Sequence, residues 1–366
     1  MAETASRGGA GRPLRVGIIG TGFGARVQAP LFGRHPAFEV AAVASVARGD
    51  VERVRRESGV ERVLTDWRAL LEEPLDLVTV TSDPAHHKEM VLAALERGHA
   101  VLCEKPMALD AGEAEEMVSA RERAGRPGWI DFEFRFRPAR QKTREILASG
   151  RLGRILHVSY IGRDAGYHRL AENRLGWLGR RATGGGVLGA VGSHAIDALR
   201  WWLGDEFASL DARLITHVPE VTLPDGEREV RDADDAFQVI GETRSGIRFE
   251  MAFVRASRHL SGWRLEVLGS EGTLVMRGDR ELELGLGDEP LRPVPLEPTP
   301  APPADLPAAA RPYWDAFPPF LDHLARALRG GEEPGLARFE DGLAVQRVMD
   351  AVREAAETGR RVMLPR

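Results

Sequence analysis

A single cysteine, Cys103, stands among 366 residues, so no internal disulfide can form and no cysteine-rich metal site can be assembled. No metal is expected. Long apolar runs are missing as well: none reaches the roughly 18 residues that a membrane-crossing helix needs, so no span and no membrane partner are expected. Charge of one sign is not concentrated. The 50 basic residues are dispersed among 55 acidic ones, for a net charge of -5, which argues against a general nucleic-acid binder. The opening "MAETASRGGAGRP" lacks the apolar core of a signal peptide, so residues 1–13 are expected to be an unstructured tail and the protein cytoplasmic. Lysine is scarcest of the charged residues. Lys88, Lys105 and Lys142 are the only three, and arginine supplies the other 47 basic side chains.

What is present is alternation. "LRVGII" (14–19), "FEVAAVAS" (38–45), "LDLVTVT" (75–81) and "HAVLC" (99–103) are short apolar runs that read as buried strands. Helical patterns over about 23–34, 50–57, 84–97 and 110–124 separate them. Continuous apolar strands alternating with helices predict a doubly wound parallel sheet covered on both faces. Near residue 130 the texture changes. "DFEFRFRP" (131–138) alternates, with Phe132, Phe134 and Phe136 on one face and Glu133, Arg135 and Arg137 on the other, and reads as a crossing strand. A helix over 138–149 follows. Strand-like segments then run over 154–162, 208–218, 235–243, 247–254, 263–269 and 272–277, joined by short Gly-containing turns. They predict a mainly antiparallel sheet with one face open to solvent or a partner subunit. Residues 290–312 hold nine of the 23 prolines and are expected to form an extended surface connection, before helices over 313–329 and 339–356.

"VGIIGTGFGA" places Gly20, Gly22 and Ala25 in a G-x-G-x-x-A pattern between the first strand and the first helix. Gly20 permits a tight turn, Gly22 lets the backbone approach a pyrophosphate, and Ala25 permits close helix–strand packing, with the phosphates on the free amides of the helix start. Gly20, Thr21, Gly22, Phe23, Gly24 and Ala25 are therefore expected to bind a dinucleotide. An NAD site usually carries an acid near the end of the second strand. Here that end reads "AVASVARGD", with Ser45 and Arg48 where a 2′-phosphate would lie, so NADP is favoured over NAD.

With "EKP" (104–106), the stretch "TSDPAHHKEMVLAALERGHAVLCEKPMAL" and the later "GGGVLGAVGSHAID" (184–197), the chain resembles the Gfo/Idh/MocA family of oxidoreductases from about residue 14 to 364. The resemblance implies a Rossmann domain (14–131), then a C-terminal α+β domain (132–366) with an open, mainly antiparallel sheet. It implies NAD(P)-dependent oxidation or reduction of a carbinol or carbonyl on a sugar, inositol or related polyol, and a homodimer or homotetramer formed through that sheet. By the same resemblance Lys105 is the active-site lysine. An ammonium on a flexible stem can shuttle a proton, which a guanidinium cannot. Glu104 is placed to hold it, and Pro106 rigidifies the strand exit. Thr81 and His86, with Glu104 and Lys105, fall at the cofactor.

The third motif departs from the family pattern. His194 and Asp197 are present and, three apart, share a helix face; by the same resemblance they fall at the substrate. Ser193 is positioned to cap that helix. The carboxylate usually found four residues before the histidine is replaced by Ala190. Tyr160, Arg163 and Trp177, in the stretch leading to the glycines, are further candidate substrate contacts. Two other readings remain: a non-catalytic dinucleotide-binding sensor of the same fold, which Ala190 favours and Lys105 and His194 disfavour, and a glycoside hydrolase assisted by bound NAD.

Overall fold

The computed structural model describes residues 12–45, 50–223 and 225–365. A first sheet is built from β1 (Leu14–Ile19), β2 (Phe38–Ala44), β3 (Val63–Leu64), β4 (Leu77–Val80), β5 (Ala100–Cys103) and β6 (Gly128–Ile130). Every pairing in it is parallel, in the order β3-β2-β1-β4-β5-β6. The strands are apolar because helices cover both faces: α1 (Ala29–Phe32), α2 (Val51–Ser58), α3 (Trp67–Leu70), α4 (Pro84–Glu96) and α5 (Ala111–Ala124). The order reverses between β1 and β4, and ligands of such sheets bind beyond the strand ends at that reversal.

After α6 (Pro138–Ala148) comes a second sheet of nine strands. It contains β7 (Ile155–Arg163) and β8 (Phe207–Ile215). After the small hairpin of β9 (Glu220–Thr222) and β10 (Arg228–Val230) it continues with β11 (Ala236–Thr243), β12 (Arg248–Val254), β13 (Gly262–Gly269), β14 (Gly272–Arg277), β15 (Glu281–Leu286), β16 (Arg292–Pro293) and β17 (Val362–Met363). Only β7 and β12 pair parallel. One face, carrying Val158, Phe249, Met251, Leu265 and Val267, is buried beneath α6, α8 (Ser193–Leu203) and α10 (Phe339–Thr358). The other face leaves Leu156, Ile240 and Leu268 exposed, as period-2 strands with one covered side must.

Several expectations fail here. "DFEFRFRP" is no strand: β6 ends at Ile130, the Phe132 amide turns back onto the Ile130 carbonyl at 2.8 Å, and Glu133–Phe136 form a 3₁₀ turn. Its charged residues do not face water, because Glu133 and Arg135 are both buried. Ser193 does not cap α8. A π-helical turn over Leu188–Gly192 runs directly into the helix, and Ser193 Oγ donates to the Gly189 carbonyl at 2.6 Å. The proline-rich segment is more than a surface connection. It adds β16 to the second sheet, then crosses to the first, where Leu306 and Ala310 are buried against α1 and α9 (Phe317–Leu328). The short α7 (Tyr167–Glu172) lies near β9.

Candidate active site

Gly20 ends β1 with φ 134°, and a Cβ there would lie 2.3 Å from Thr81 Oγ1. Only glycine fits that crossing. A Cβ on Gly22 would meet nothing within 4 Å, so the loop opens onto free space at this point. Among the described residues the Gly22 and Phe23 amides have no hydrogen-bond partner. Unpaired amides at a helix start, facing open space that a side chain would fill, fit the pyrophosphate of a dinucleotide. Thr81 Oγ1 donates to the Ile19 carbonyl at 2.9 Å, and Gly24 and Ala25 pack below the loop. Ser45 is buried at the end of β2, its amide bonded to the Leu64 carbonyl at 2.9 Å. Arg48 lies outside the described residues.

The loop opens into a cavity of about 650 Å³ between the two sheets. Gly20, Thr21, Gly22, Phe23, Thr81, Glu104, Lys105, Arg163, Trp177 and His194 all line it. Lys105 and His194, 89 positions apart in the sequence, are thus brought to one space. Lys105 follows β5, across a cis peptide to Pro106. Its Nζ donates to the Ala190 carbonyl at 2.9 Å, so the position that lacks a carboxylate still holds the lysine through its backbone. His194 lies at the start of α8, its ring against Phe134 at 4.5 Å and edge-on to Phe132 at 5.6 Å. Burial, with Lys105, Arg140 and Arg137 nearby, holds its pKa well below the ordinary value. A neutral imidazole offers one donor and one acceptor to a hydroxyl group.

Behind Lys105 sits a carboxyl pair. Gln28 Nε2 donates to Asp131 Oδ2 at 2.8 Å and to Glu104 Oε1 at 3.2 Å, and the Lys105 amide bonds to Glu104 Oε2 at 3.2 Å. Burial raises both acids, Asp131 the more strongly because the Glu104 charge adds to it. At the far end, Asp279 takes Arg137 Nη1 at 2.8 Å and Arg140 Nε at 2.9 Å. Burial opposes the Asp279 carboxylate, but the two arginines outweigh it and hold its pKa low.

Three expected site residues lie elsewhere. Tyr160 is buried with its ring stacked on Trp263, and its hydroxyl accepts from Arg140 Nη2 at 2.6 Å; it supports the arginine instead of facing the cavity. Asp197 takes both arms of Arg135, Nε at 2.9 Å and Nη2 at 2.5 Å, inside the protein. It neither orients His194 nor reaches the cavity. His86 bonds Asp83 through Nδ1 at 2.5 Å on the half-exposed side of α4, and its neighbours Ser82, Asp83 and Pro84 line the cavity in its place. Glu133, read from the sequence only as a polar-face residue of the expected strand, also lines it, as do Phe134, Arg137, Arg140, Trp263, Asp279 and Tyr313, which were not anticipated. The sequence signal for Glu133 was its place three residues beyond β6, beside the exit of β5 that carries Lys105.

Known proteins match along this architecture. The model of an oxidoreductase family with an NAD-binding Rossmann fold matches residues 14–132, and that of the Gfo/Idh/MocA C-terminal domain matches 140–275. An uncharacterized oxidoreductase of Synechocystis sp. is 30% identical over 271 residues, 73% of this chain and 72% of that one. Inositol 2-dehydrogenase 2 of Saccharopolyspora erythraea is 29% identical over 354 residues, 94% of each chain. A solved structure of levoglucosan dehydrogenase in complex with NADH and levoglucosan is 25% identical, with a TM-score of 0.83 over 97% of this chain and 100% of that one. With a dinucleotide loop, a lysine and a histidine facing one cavity, and both halves matched in order, the chain belongs to the Gfo/Idh/MocA family of oxidoreductases.

Proposed function

We propose that the protein is an NAD(P)-dependent dehydrogenase or reductase acting on a carbinol or carbonyl of a sugar, inositol or related polyol, with Lys105 as its acid/base. The observation that carries this reading is the convergence of the glycine loop, the Lys105 amine and the His194 ring on one cavity. Relatives named for levoglucosan and for inositol support the substrate class. The bound cofactor supplies the hydride acceptor in the oxidative direction and the donor in the reductive one. Lys105 takes the proton of the reacting hydroxyl in oxidation and returns it in reduction. The neutral His194 bonds the reacting or the adjacent hydroxyl. Arg163 and Trp177 contact the remainder of the substrate. In this reading residues 14–131 hold the cofactor, residues 132–366 the substrate, and the open face of the second sheet pairs subunits. A panel of inositols, aldoses, anhydrosugars and other polyols, followed by nicotinamide absorbance with each cofactor, should give turnover on at least one compound; cofactor binding with no turnover across the panel would favour the sensor.

NADP(H) is proposed as the preferred cofactor. No acid ends β2 among the described residues, and Asp50 is engaged as the cap of α2, accepting from the Arg53 amide at 3.0 Å. NADP(H) should therefore bind more tightly than NAD(H), and Arg48→Ala should weaken NADP(H) with little effect on NAD(H). Titration of both cofactors into both proteins measures this, and tighter NAD(H) binding by the wild type would contradict it.

A further inference from the structure

Every carboxyl group around the cavity floor is tied except one. Glu104 and Asp131 share Gln28, Asp197 is clasped by Arg135, and Asp279 by Arg137 and Arg140. Glu133 is 2% exposed and lines the cavity, yet among the described residues it has no hydrogen bond or ion pair to another residue. A buried carboxyl without a partner is costly unless something enters the cavity to use it.

Its place in the fold is specific. β5 and β6 pair in parallel with Cys103 opposite Ile130, and the Asp131 amide bonds the Cys103 carbonyl at 2.9 Å. Residues 104–105 and 131–133 thus leave the sheet side by side, and Lys105 and Glu133 face the same space from adjacent strand ends. Phe132 and Phe134, on either side of Glu133, hold the His194 ring. Position 190, where the motif carries a carboxylate, contributes only a backbone carbonyl to Lys105.

We propose that Glu133 supplies the carboxyl function that Ala190 lacks, as the proton-relay partner of Lys105. The inference rests on the reading of Lys105 as acid/base. In the oxidative direction the substrate O–H bond breaks and a new N–H bond forms on the neutral Lys105 amine. The resulting ammonium, beyond ion-pair reach of Glu133, then passes one proton through water in the shared cavity to the Glu133 carboxylate, restoring the amine and leaving a neutral acid, which releases the proton to water. The reverse sequence serves reduction. The groups around Glu133 suit this exchange. Burial and the Glu104 charge push its pKa up to about 8, with Lys105 and Arg137 pulling the other way. Asp131 just beyond β6, His194 from α8 and Tyr313 also border the site. A raised carboxyl pKa narrows the energetic step of a proton exchange with an amine.

The test uses Glu133→Gln, with Glu133→Asp as the conservative variant and Lys105→Ala as the control for the underlying reading. Glu133→Gln should keep its cofactor affinity, lose about 10–10²-fold in kcat with a smaller change in KM, and lose the ionisation near pH 8 from the kcat profile. Glu133→Asp should recover part of the rate and restore that ionisation. A second readout needs no turnover. A carboxyl raised on folding contributes stability that is fully present below its unfolded pKa and disappears as pH rises through the folded one. The thermal midpoint of the unliganded wild type should therefore fall relative to that of Glu133→Gln as pH rises from 4.5 to about 8, and run parallel to it above. Glu133→Gln with wild-type kcat and an unchanged profile overturns the inference, as does a change confined to KM. If Lys105→Ala itself keeps full activity, the reading of Lys105 fails instead.

Discussion

Lys105→Ala should lower kcat by about 10²–10⁴-fold while NAD(P)(H) still binds, because the variant removes the proposed proton acceptor and leaves the glycine loop untouched. Two features of the cavity make this separation sharp. Lys105 is held by the Ala190 carbonyl and lies above the Glu104–Asp131 pair, none of which belongs to the loop from Gly20 to Ala25. The Gly22 and Phe23 amides, proposed to take the pyrophosphate, lie in that loop and make no bond to the lysine. Cofactor titration and steady-state turnover on one preparation check both halves of the expectation. Loss of cofactor binding in parallel with kcat would mean that the lysine holds the cofactor instead of moving a proton.

Asp197→Ala destabilises the protein by about 3–5 kcal/mol, since it leaves the Arg135 guanidinium buried without its carboxylate. Arg135 and Asp197 side chains are 4% and 3% exposed, and the nearest remaining carboxylate, Asp341, stands 3.6 Å away. The pair bridges the turn after β6 to α8, so it fixes Phe134 against His194 as well as its own charge. Replacing both partners, with Arg135→Met and Asp197→Leu together, should cost much less than either change alone, because no unpaired charge then remains inside. Denaturant midpoints of the three variants measure this. An Asp197 variant of normal stability with a raised KM would restore Asp197 to the substrate.

The parallel half of the fold was legible because its strands are continuous apolar runs and its helices carry signals at both ends: Asp50 and Asp110 cap α2 and α5, and Gly59 and Gly125 close them in the left-handed conformation. Six strands of the second sheet, β7, β8 and β11 to β14, were legible from their period of two, whereas β15, β16 and β17 were not anticipated from that pattern. What misled was the stretch 131–138. Over five residues the alternation of Phe132, Phe134 and Phe136 fits a strand as well as a turn, and nothing local shows that Arg135 has a partner 62 positions away. The same distance hid the cavity face of Glu133. Lys105 and His194 could be named from their motifs, whereas Tyr160 and Asp197 could not be excluded, because an internal hydrogen bond to Arg140 or Arg135 leaves no mark in the local pattern. Ser193 illustrates a further limit: a capping residue reads correctly only when the helix begins there, and the π-helical turn moves the start one turn earlier.

Replacing Lys105 by arginine separates proton transfer from positive charge, since a guanidinium keeps the charge but does not release its proton near neutral pH. Turnover of Lys105→Arg should be followed by nicotinamide absorbance, at saturating cofactor, on whichever polyol or sugar the wild type converts. A rate close to that of Lys105→Ala, with cofactor binding retained, is the expected result; near-normal turnover would contradict Lys105 as the acid/base.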